Sequence, residues 1–206
     1  MAFHVPRLLA ARFGRRFQRP SHDRTGKPGR ARGWLAMTQN KAIEPFMQIG
    51  YLVSNLDEAV HAWFEESGVG PWQIYRNLDM AGNHRGQDID IVINAAFAYS
   101  GSTQVELIEV LSEGPSPYHN ADGTKFIGLH HVARLTDDLD AELAQATERG
   151  LSVVFTGATS STSVAYIESA AMPGTIIEYI KNPSMPAMLA EGVEFTRNWN
   201  GLNLIR

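Results

Sequence analysis

The feature that most constrains the fold of this 206-residue chain is an internal repeat. The segment QIGYLVSNLDEAV at residues 48–60 aligns with HVARLTDDLDAEL at residues 131–143, and apolar positions match apolar positions. Both segments continue in a helical pattern that ends on a glycine, Gly68 or Gly150, a residue that commonly follows a helix. The chain beyond its first segment is therefore a tandem duplication of one structural unit.

Each copy predicts the same order of elements: a strand, a polar N-cap, a helix and three further strands. The helices are predicted at residues 55–67 and 138–149. The strands are predicted at 47–53, 71–77, 88–97 and 103–111 in the first copy, and at 129–135, 151–156, 162–169 and 175–181 in the second. The expected fold class is α+β, with two tandem βαβββ modules forming a curved mixed sheet around a central cavity, plus a short C-terminal helix.

The expected organisation has five parts. They are a basic N-terminal extension at 1–43, the first module at 44–113, a linker loop at 114–126, the second module at 127–183, and a C-terminal helix and tail at 184–206. In the last part, Met188, Phe195 and Trp199 are expected to be the packing residues.

Composition narrows the class of protein. The chain has no cysteine, which excludes disulfides and thiolate metal sites and favours a reducing compartment. No apolar run approaches the roughly 20 residues that a membrane span requires, so no membrane partner is expected. Residues 1–36 hold nine of the 18 lysines and arginines with one acid, whereas the rest carries nine basic and 21 acidic residues. An acidic body repels phosphate, so no nucleic-acid partner is expected.

The basic first segment has three interpretations. An Arg-rich, acid-poor start is typical of a transit peptide, which would place the protein in the mitochondrial matrix. The segment is also compatible with a nucleic-acid-binding arm. The third interpretation is a disordered extension, or a gene start placed ahead of Met37. The expected localisation is cytoplasmic, with the mitochondrial matrix as the alternative.

Strand alternation separates the two histidines of GLHHVARL. His131 shares a face with Ala133, and His130 takes the opposite face, so only one ring is expected to enter the cavity. The position equivalent to His131 in the first copy is Gln48, which shares a face with Gly50. The small residues Gly50 and Ala133 are expected to leave room for a bound group.

The last strand of each copy carries a carboxylate among aliphatic residues, Glu106 in TQVELIEV and Glu178 in TIIEYIK. Burying a carboxylate is costly unless it is paired, hydrogen-bonded or bound to a metal. If the sheet curves around one cavity, Gln48, Glu106, His131 and Glu178 converge there.

The duplicated unit, the stretch GLHHVARLTDDLDAELAQATERG and the strand GTIIEYIKNP resemble the vicinal oxygen chelate superfamily. This superfamily includes glyoxalase I, methylmalonyl-CoA epimerase, extradiol dioxygenases and bleomycin-resistance proteins. The resemblance covers residues 46–182 and implies that Gln48, Glu106, His131 and Glu178 are metal ligands, a set similar to that of glyoxalase I. The metal implied is a divalent ion, Zn²⁺, Co²⁺, Ni²⁺, Mn²⁺ or Mg²⁺.

The resemblance implies a metal-dependent isomerase, epimerase or lyase that removes a proton beside a metal-chelated carbonyl. Glu178 is the first candidate for the base, Glu106 the second, and Asp90 a further catalytic carboxylate. The aromatic residues suit a small, largely apolar substrate, and a homodimer is expected. Two alternatives stay open: a metal-free protein that sequesters a small molecule, and an extradiol-type dioxygenase. The dioxygenase needs a second histidine ligand where this chain has Gln48.

Overall fold

The structure, a computed structural model, describes residues 44–206. The basic first segment, with its three interpretations, lies outside the described residues.

The described chain contains eight strands and three helices in the order that the repeat predicts. The first module consists of β1 (Gln48–Val53), α1 (Leu56–Ser67), β2 (Gln73–His84), β3 (Gln87–Ser100) and β4 (Thr103–Val110). The second consists of β5 (Gly128–Leu135), α2 (Leu139–Glu148), β6 (Ser152–Ala158), β7 (Ser163–Glu168) and β8 (Ile176–Lys181). The C-terminal helix is α3 (Met185–Arg197).

The strands form one closed barrel in the order β1-β4-β3-β2-β6-β7-β8-β5, and β5 pairs with β1 to complete it. The two modules therefore meet at two seams, β1 with β5 and β2 with β6. At the second seam Gly82 faces Gly157, and a Cβ atom on either residue would overlap the Phe155 ring. Glycine at these two positions lets the strands close around a buried aromatic ring. The α+β class with a curved mixed sheet and a C-terminal helix is confirmed.

The inside of the barrel and the outside of the sheet bury separate apolar clusters. The interior cluster includes Leu52, Ile91, Ile108, Phe155 and Tyr166, drawn from both modules. Outside the barrel, α1 and α2 each pack on the strands of their own module. The interior is thus the place where side chains of the two copies meet.

Two details of the elements differ from the sequence prediction. Strands β2 and β3 are longer than predicted and join through a two-residue turn at Arg85 and Gly86, both with positive φ. Helix α3 packs on β3 at Gly192, where a Cβ atom would overlap the Tyr99 ring. Of the three predicted packing residues, Trp199 contacts the Phe64 ring of α1 with centroids 5.7 Å apart, whereas Met188 and Phe195 are 49% and 42% exposed, and Phe195 is covered in part by Arg206.

None of the helices in residues 44–206 is long and apolar enough to cross a membrane.

Candidate metal centre

The centre is built on β1, where the two modules meet. Gly50 on this strand pairs with Glu106 of β4 on one side and with His131 of β5 on the other. Two residues away, Gln48 pairs with Ala133 of β5, and Ala133 pairs in turn with Glu178 of β8. Each module thus supplies one donor from its first strand, Gln48 or His131, and one carboxylate from its last strand. The pairing across the sheet brings these side chains next to one another.

Three of the four predicted ligands lie in direct contact. His131 Nε2 is 3.2 Å from a Glu106 oxygen and 3.1 Å from a Glu178 oxygen. One ligand atom from each residue fits within a cluster whose members are at most 4.8 Å apart. The side chains of His131, Glu178 and Glu106 are only 0%, 6% and 12% exposed, respectively. The structure therefore brings these three together inside the barrel.

Gln48 lies on the same inner face and is also buried, with 2% exposure. Its Nε2 donates to Gln104 Oε1 at 2.8 Å, and Gln104 Nε2 donates to the Tyr99 hydroxyl at 2.8 Å. These bonds fix the orientation of the Gln48 amide. Its Oε1 accepts no hydrogen bond from any described residue, so this buried acceptor is left free.

The prediction that His130 points away from the interior is wrong. The pairing of β5 with β1 shifts here: Gly50 pairs with His131 and Tyr51 with Leu129, so His130 has no partner on β1. Such a bulge redirects side chains. His130 is 5% exposed, and its Nδ1 lies 3.0 Å from His131 Nδ1. Both rings are inside.

The space beside Gly50 belongs to His131 itself. A Cβ atom on Gly50 would lie 2.0 to 2.6 Å from three atoms of the His131 ring. The expectation that Gly50 leaves room for a bound group is therefore corrected, because the absent side chain makes room for the imidazole. Ala133, which faces Gln48 across the same pair of strands, occupies the equivalent position in the second module.

Two buried tyrosines border the centre, and sequence reasoning did not assign either to it. Tyr166, the partner of Glu178 on β7, stacks on His131 with ring centroids 5.5 Å apart. Its hydroxyl is 2.9 Å from that of Tyr118, which lies in the segment between β4 and β5. Strand pairing could have suggested Tyr166, but Tyr118 lies in a loop without a repeating pattern.

Burial sets the electrostatics of the group. Burial raises the pKa of Glu178 well above its usual range, and the neighbouring Glu106 adds to this effect. For His131, burial alone lowers the pKa, but the Glu178 and Glu106 carboxylates outweigh it and the pKa is raised. His131 and Glu178 therefore hold their protons more tightly than the same groups do in water.

Asp90 is not part of this group. It lies on β3 between Ile89 and Ile91, both of which pack in or against the interior cluster. Alternation therefore turns the Asp90 side chain outward, and the residue is exposed. The assignment of Asp90 as a catalytic carboxylate is corrected.

The residues suit a divalent ion. Two carboxylates, one imidazole and one amide oxygen are all common ligands of such ions, and the two negative charges offset the charge of the ion. Gln48 Oε1 is buried and accepts no hydrogen bond among residues 44–206, whereas His131 Nε2 faces the Glu106 and Glu178 oxygens. Buried polar atoms are seldom left unsatisfied, so a free amide oxygen beside two carboxylates and an imidazole fits a metal ligand set.

A family model described as the glyoxalase/bleomycin resistance protein/dioxygenase superfamily matches residues 47–166. No curated protein matches the sequence. Among solved structures, the chain is similar to a hypothetical protein from Bacillus halodurans C-125, with 16% identity, a TM-score of 0.49 and coverage of 68% of this chain and 96% of that one.

The chain is also similar to two methylmalonyl-CoA epimerases. The Mycobacterium tuberculosis enzyme is 17% identical, with a TM-score of 0.46 and coverage of 72% of this chain and 97% of that one. A Streptomyces coelicolor enzyme in complex with 2-nitronate-propionyl-CoA is 16% identical, with a TM-score of 0.41 and coverage of 69% and 97%.

The stretch matched by the family model covers more than half of the chain and contains Gln48, Glu106 and His131. The resemblance drawn from the repeat and the histidine stretch is confirmed. The chain belongs to the glyoxalase/bleomycin resistance protein/dioxygenase superfamily.

Proposed function

We propose that this protein is a divalent-metal-dependent enzyme that isomerises, epimerises or cleaves a small, largely apolar substrate by removing a proton next to a carbonyl. Gln48, Glu106, His131 and Glu178 would hold the metal. The observation that carries the proposal is the buried cluster of Glu106, His131 and Glu178, whose ligand atoms lie within 4.8 Å of one another. A metal in this position would polarise the carbonyl and stabilise the enolate.

The base is proposed to be Glu178, with Glu106 as the second candidate. Proton transfer is most efficient when the pKa of the base is close to the working pH. Burial raises the pKa of Glu178 toward that range. Its neighbour Tyr166 is buried and stacks on His131, so the proton would move in a site shielded from water.

The surroundings support a small apolar substrate. The interior cluster that encloses the four residues is built from aliphatic and aromatic side chains of both modules. The Tyr118 and Tyr166 rings contact His130, and Tyr166 also stacks on His131, so their paired hydroxyl groups border the centre. Such a mixture of an apolar wall and a few fixed polar groups is typical of small-molecule sites.

The dioxygenase alternative would require a second histidine ligand. His130 is the nearest histidine, but its Nδ1 faces His131 and its Nε2 is 3.0 Å from the Pro117 carbonyl oxygen. Neither nitrogen is available. The remaining alternative is a metal-free protein that sequesters a small molecule.

Metal analysis of purified protein tests the proposal. We expect about one equivalent of divalent metal in the wild type, because four buried donors satisfy one ion. Glu178→Gln should lower the bound metal at least tenfold, since it removes a charged ligand with little change in shape. The matched control is Asp90→Asn, which removes one carboxylate from the outer face of the barrel and should retain full metal content.

Equal, sub-stoichiometric metal in wild type, Glu178→Gln and Asp90→Asn would reject the metal enzyme and favour the sequestering protein. Loss of metal in Asp90→Asn alone would show that the ligands were chosen wrongly.

A further inference from the structure

His130 uses both of its ring nitrogens in contacts that fix the direction of hydrogen bonding. Its Nε2 lies 3.0 Å from the carbonyl oxygen of Pro117, and its Nδ1 lies 3.0 Å from His131 Nδ1. A carbonyl oxygen only accepts, so His130 Nε2 must carry the hydrogen. A neutral imidazole has one N–H, and His130 Nδ1 is therefore an acceptor.

His130 is only 5% exposed, and burying an imidazolium without a carboxylate partner is costly, so the ring is neutral. A doubly protonated His130 would also point two N–H donors at Pro117 and His131 and would have to lose its water shell without a counter-ion. No carboxylate is paired with His130 among the described ion pairs, whereas both Glu106 and Glu178 face His131.

The acceptor on His130 determines the tautomer of His131. His131 Nδ1 must donate to it, which leaves Nε2 as the nitrogen that faces Glu106 and Glu178. Only an imidazole nitrogen without hydrogen can bind a metal. The hydrogen bond from His131 Nδ1 thus keeps Nε2 available for the proposed ion.

The His130 ring is packed among aromatic side chains. The centroid of the His130 ring lies 5.3 Å from that of Tyr118 and 5.4 Å from that of Tyr166. The two tyrosine hydroxyls form a hydrogen bond with each other. Pro117 and Tyr118 belong to the segment between the modules. The linker therefore supplies the end of a hydrogen-bond chain that runs from Pro117 through His130 to His131.

We propose that His130 is a positioning residue, which holds His131 with Nδ1 protonated and Nε2 directed at the metal. The proposal rests on the proposed metal site. This role also explains the bulge in β5. In a regular strand His130 would point to the outside of the barrel, and His131 Nδ1 would have no hydrogen-bond partner. Partners of this kind commonly orient metal-binding histidines.

The test is ¹⁵N NMR of histidine-labelled wild-type protein, metal-free and loaded with Zn²⁺. In both states we expect His130 to carry its hydrogen on Nε2 and His131 to carry one on Nδ1. A hydrogen on His130 Nδ1 in either state overturns the proposal. The metal-free spectrum gives this answer even if the protein fails to bind Zn²⁺, so the failure of the metal site and the failure of the His130 role are distinguishable.

Two variants measure the effect on affinity. His130→Phe keeps an aromatic ring among the tyrosines but removes the acceptor, and we expect the Kd for Zn²⁺ to rise about tenfold to a hundredfold. His130→Asn supplies a side-chain oxygen near the position of Nδ1 and should recover most of the affinity. Unchanged affinity in a folded His130→Phe protein, or equal losses in both folded variants, would reject the positioning role.

Discussion

Gly50 is the residue at which the two modules share one centre. It pairs with Glu106 on one side and His131 on the other, and its missing side chain is the space that the His131 ring fills. The ring could not lie between the two carboxylates if β1 carried any larger residue here. The position of His131 therefore depends on a residue that binds nothing itself.

Replacing Gly50 by alanine should displace the His131 ring. The added methyl group would lie 2.0 Å from the ring, and overpacking of this kind costs about 1–3 kcal/mol of unfolding free energy. We expect Gly50→Ala to lower both the denaturation midpoint and the affinity for Zn²⁺, measured by urea unfolding and by calorimetric titration.

Gly82→Ala is the matched control, because its methyl group would overlap Phe155 at the other seam of the barrel. It should reduce stability by a similar amount and leave the Zn²⁺ affinity within about twofold at temperatures where it is folded. If both variants lose Zn²⁺ affinity equally, the loss in Gly50→Ala follows from the general destabilisation of the barrel and not from the specific contact with His131.

At the scale of residues, the repeat was sufficient to locate Glu106, His131 and Glu178, because equivalent positions of two equal modules face the same interior. The bulge was not predictable, because it arises from the pairing of β5 with β1. The residues of GLHHVARL are equally compatible with a regular strand. The misassignment of Asp90 has a simpler cause: Ile89 and Ile91 already indicate which face of β3 is buried.

The two helices that follow β1 and β5 begin in the same way. Asn55 accepts from the backbone N–H of Glu58 at 3.0 Å, and Asp138 accepts from that of Ala141 at 3.0 Å. The N-cap was predicted in both modules from the polar pair after each strand. A side-chain oxygen at this position satisfies a backbone donor that the helix cannot.

We expect Asn55→Ala and Asp138→Ala each to destabilise the protein by about 1 kcal/mol, because each removes one capping bond. Both caps are exposed and belong to elements outside the barrel, so metal content should not change. Chemical denaturation with parallel metal analysis checks both statements. If either variant lost metal while it was as fully folded as the wild type, the helix N-termini would affect the metal centre. That result would contradict the view that the outer helices and the barrel interior are independent.

Element lengths were less predictable than element order. The β2–β3 hairpin extends beyond its predicted ends because β2 also pairs with β6 of the other module, through residues 81–84. This contact is distant in sequence and leaves no local pattern. Helix α3 was correctly expected, but its packing through Gly192 onto Tyr99 could not be read from an apolar stripe.

For the molecule as a whole, the centre makes stability depend on pH. His131 and Glu178 both have raised pKa values in the folded protein. At pH values between the unfolded-state and folded-state pKa values, the folded chain therefore binds more protons than the unfolded chain. Stability contributed in this way is present at lower pH and is lost as pH rises through the folded-state pKa values. His130 and His84, whose pKa values are lowered, have the opposite effect only below their unfolded pKa.

Metal-free protein should therefore become less stable between about pH 7 and about pH 9, and Glu178→Gln should flatten this dependence. Zn²⁺ affinity should rise over the same range, since the ion replaces protons at its ligands. Urea midpoints at several pH values, with and without metal, test both signs. A metal-free wild type that gains stability over this range would show that the buried group does not retain its protons.

The symmetry of the pairing around β1 also bears on ancestry. Each module contributes one donor from its first strand and one carboxylate from its last, and Gly50 of the first module makes way for His131 of the second. Two copies of a single module joined along this seam would already assemble a full set of four donors. A half-length ancestor could thus have assembled the same cluster as a dimer, and gene fusion would have kept the cluster within one chain.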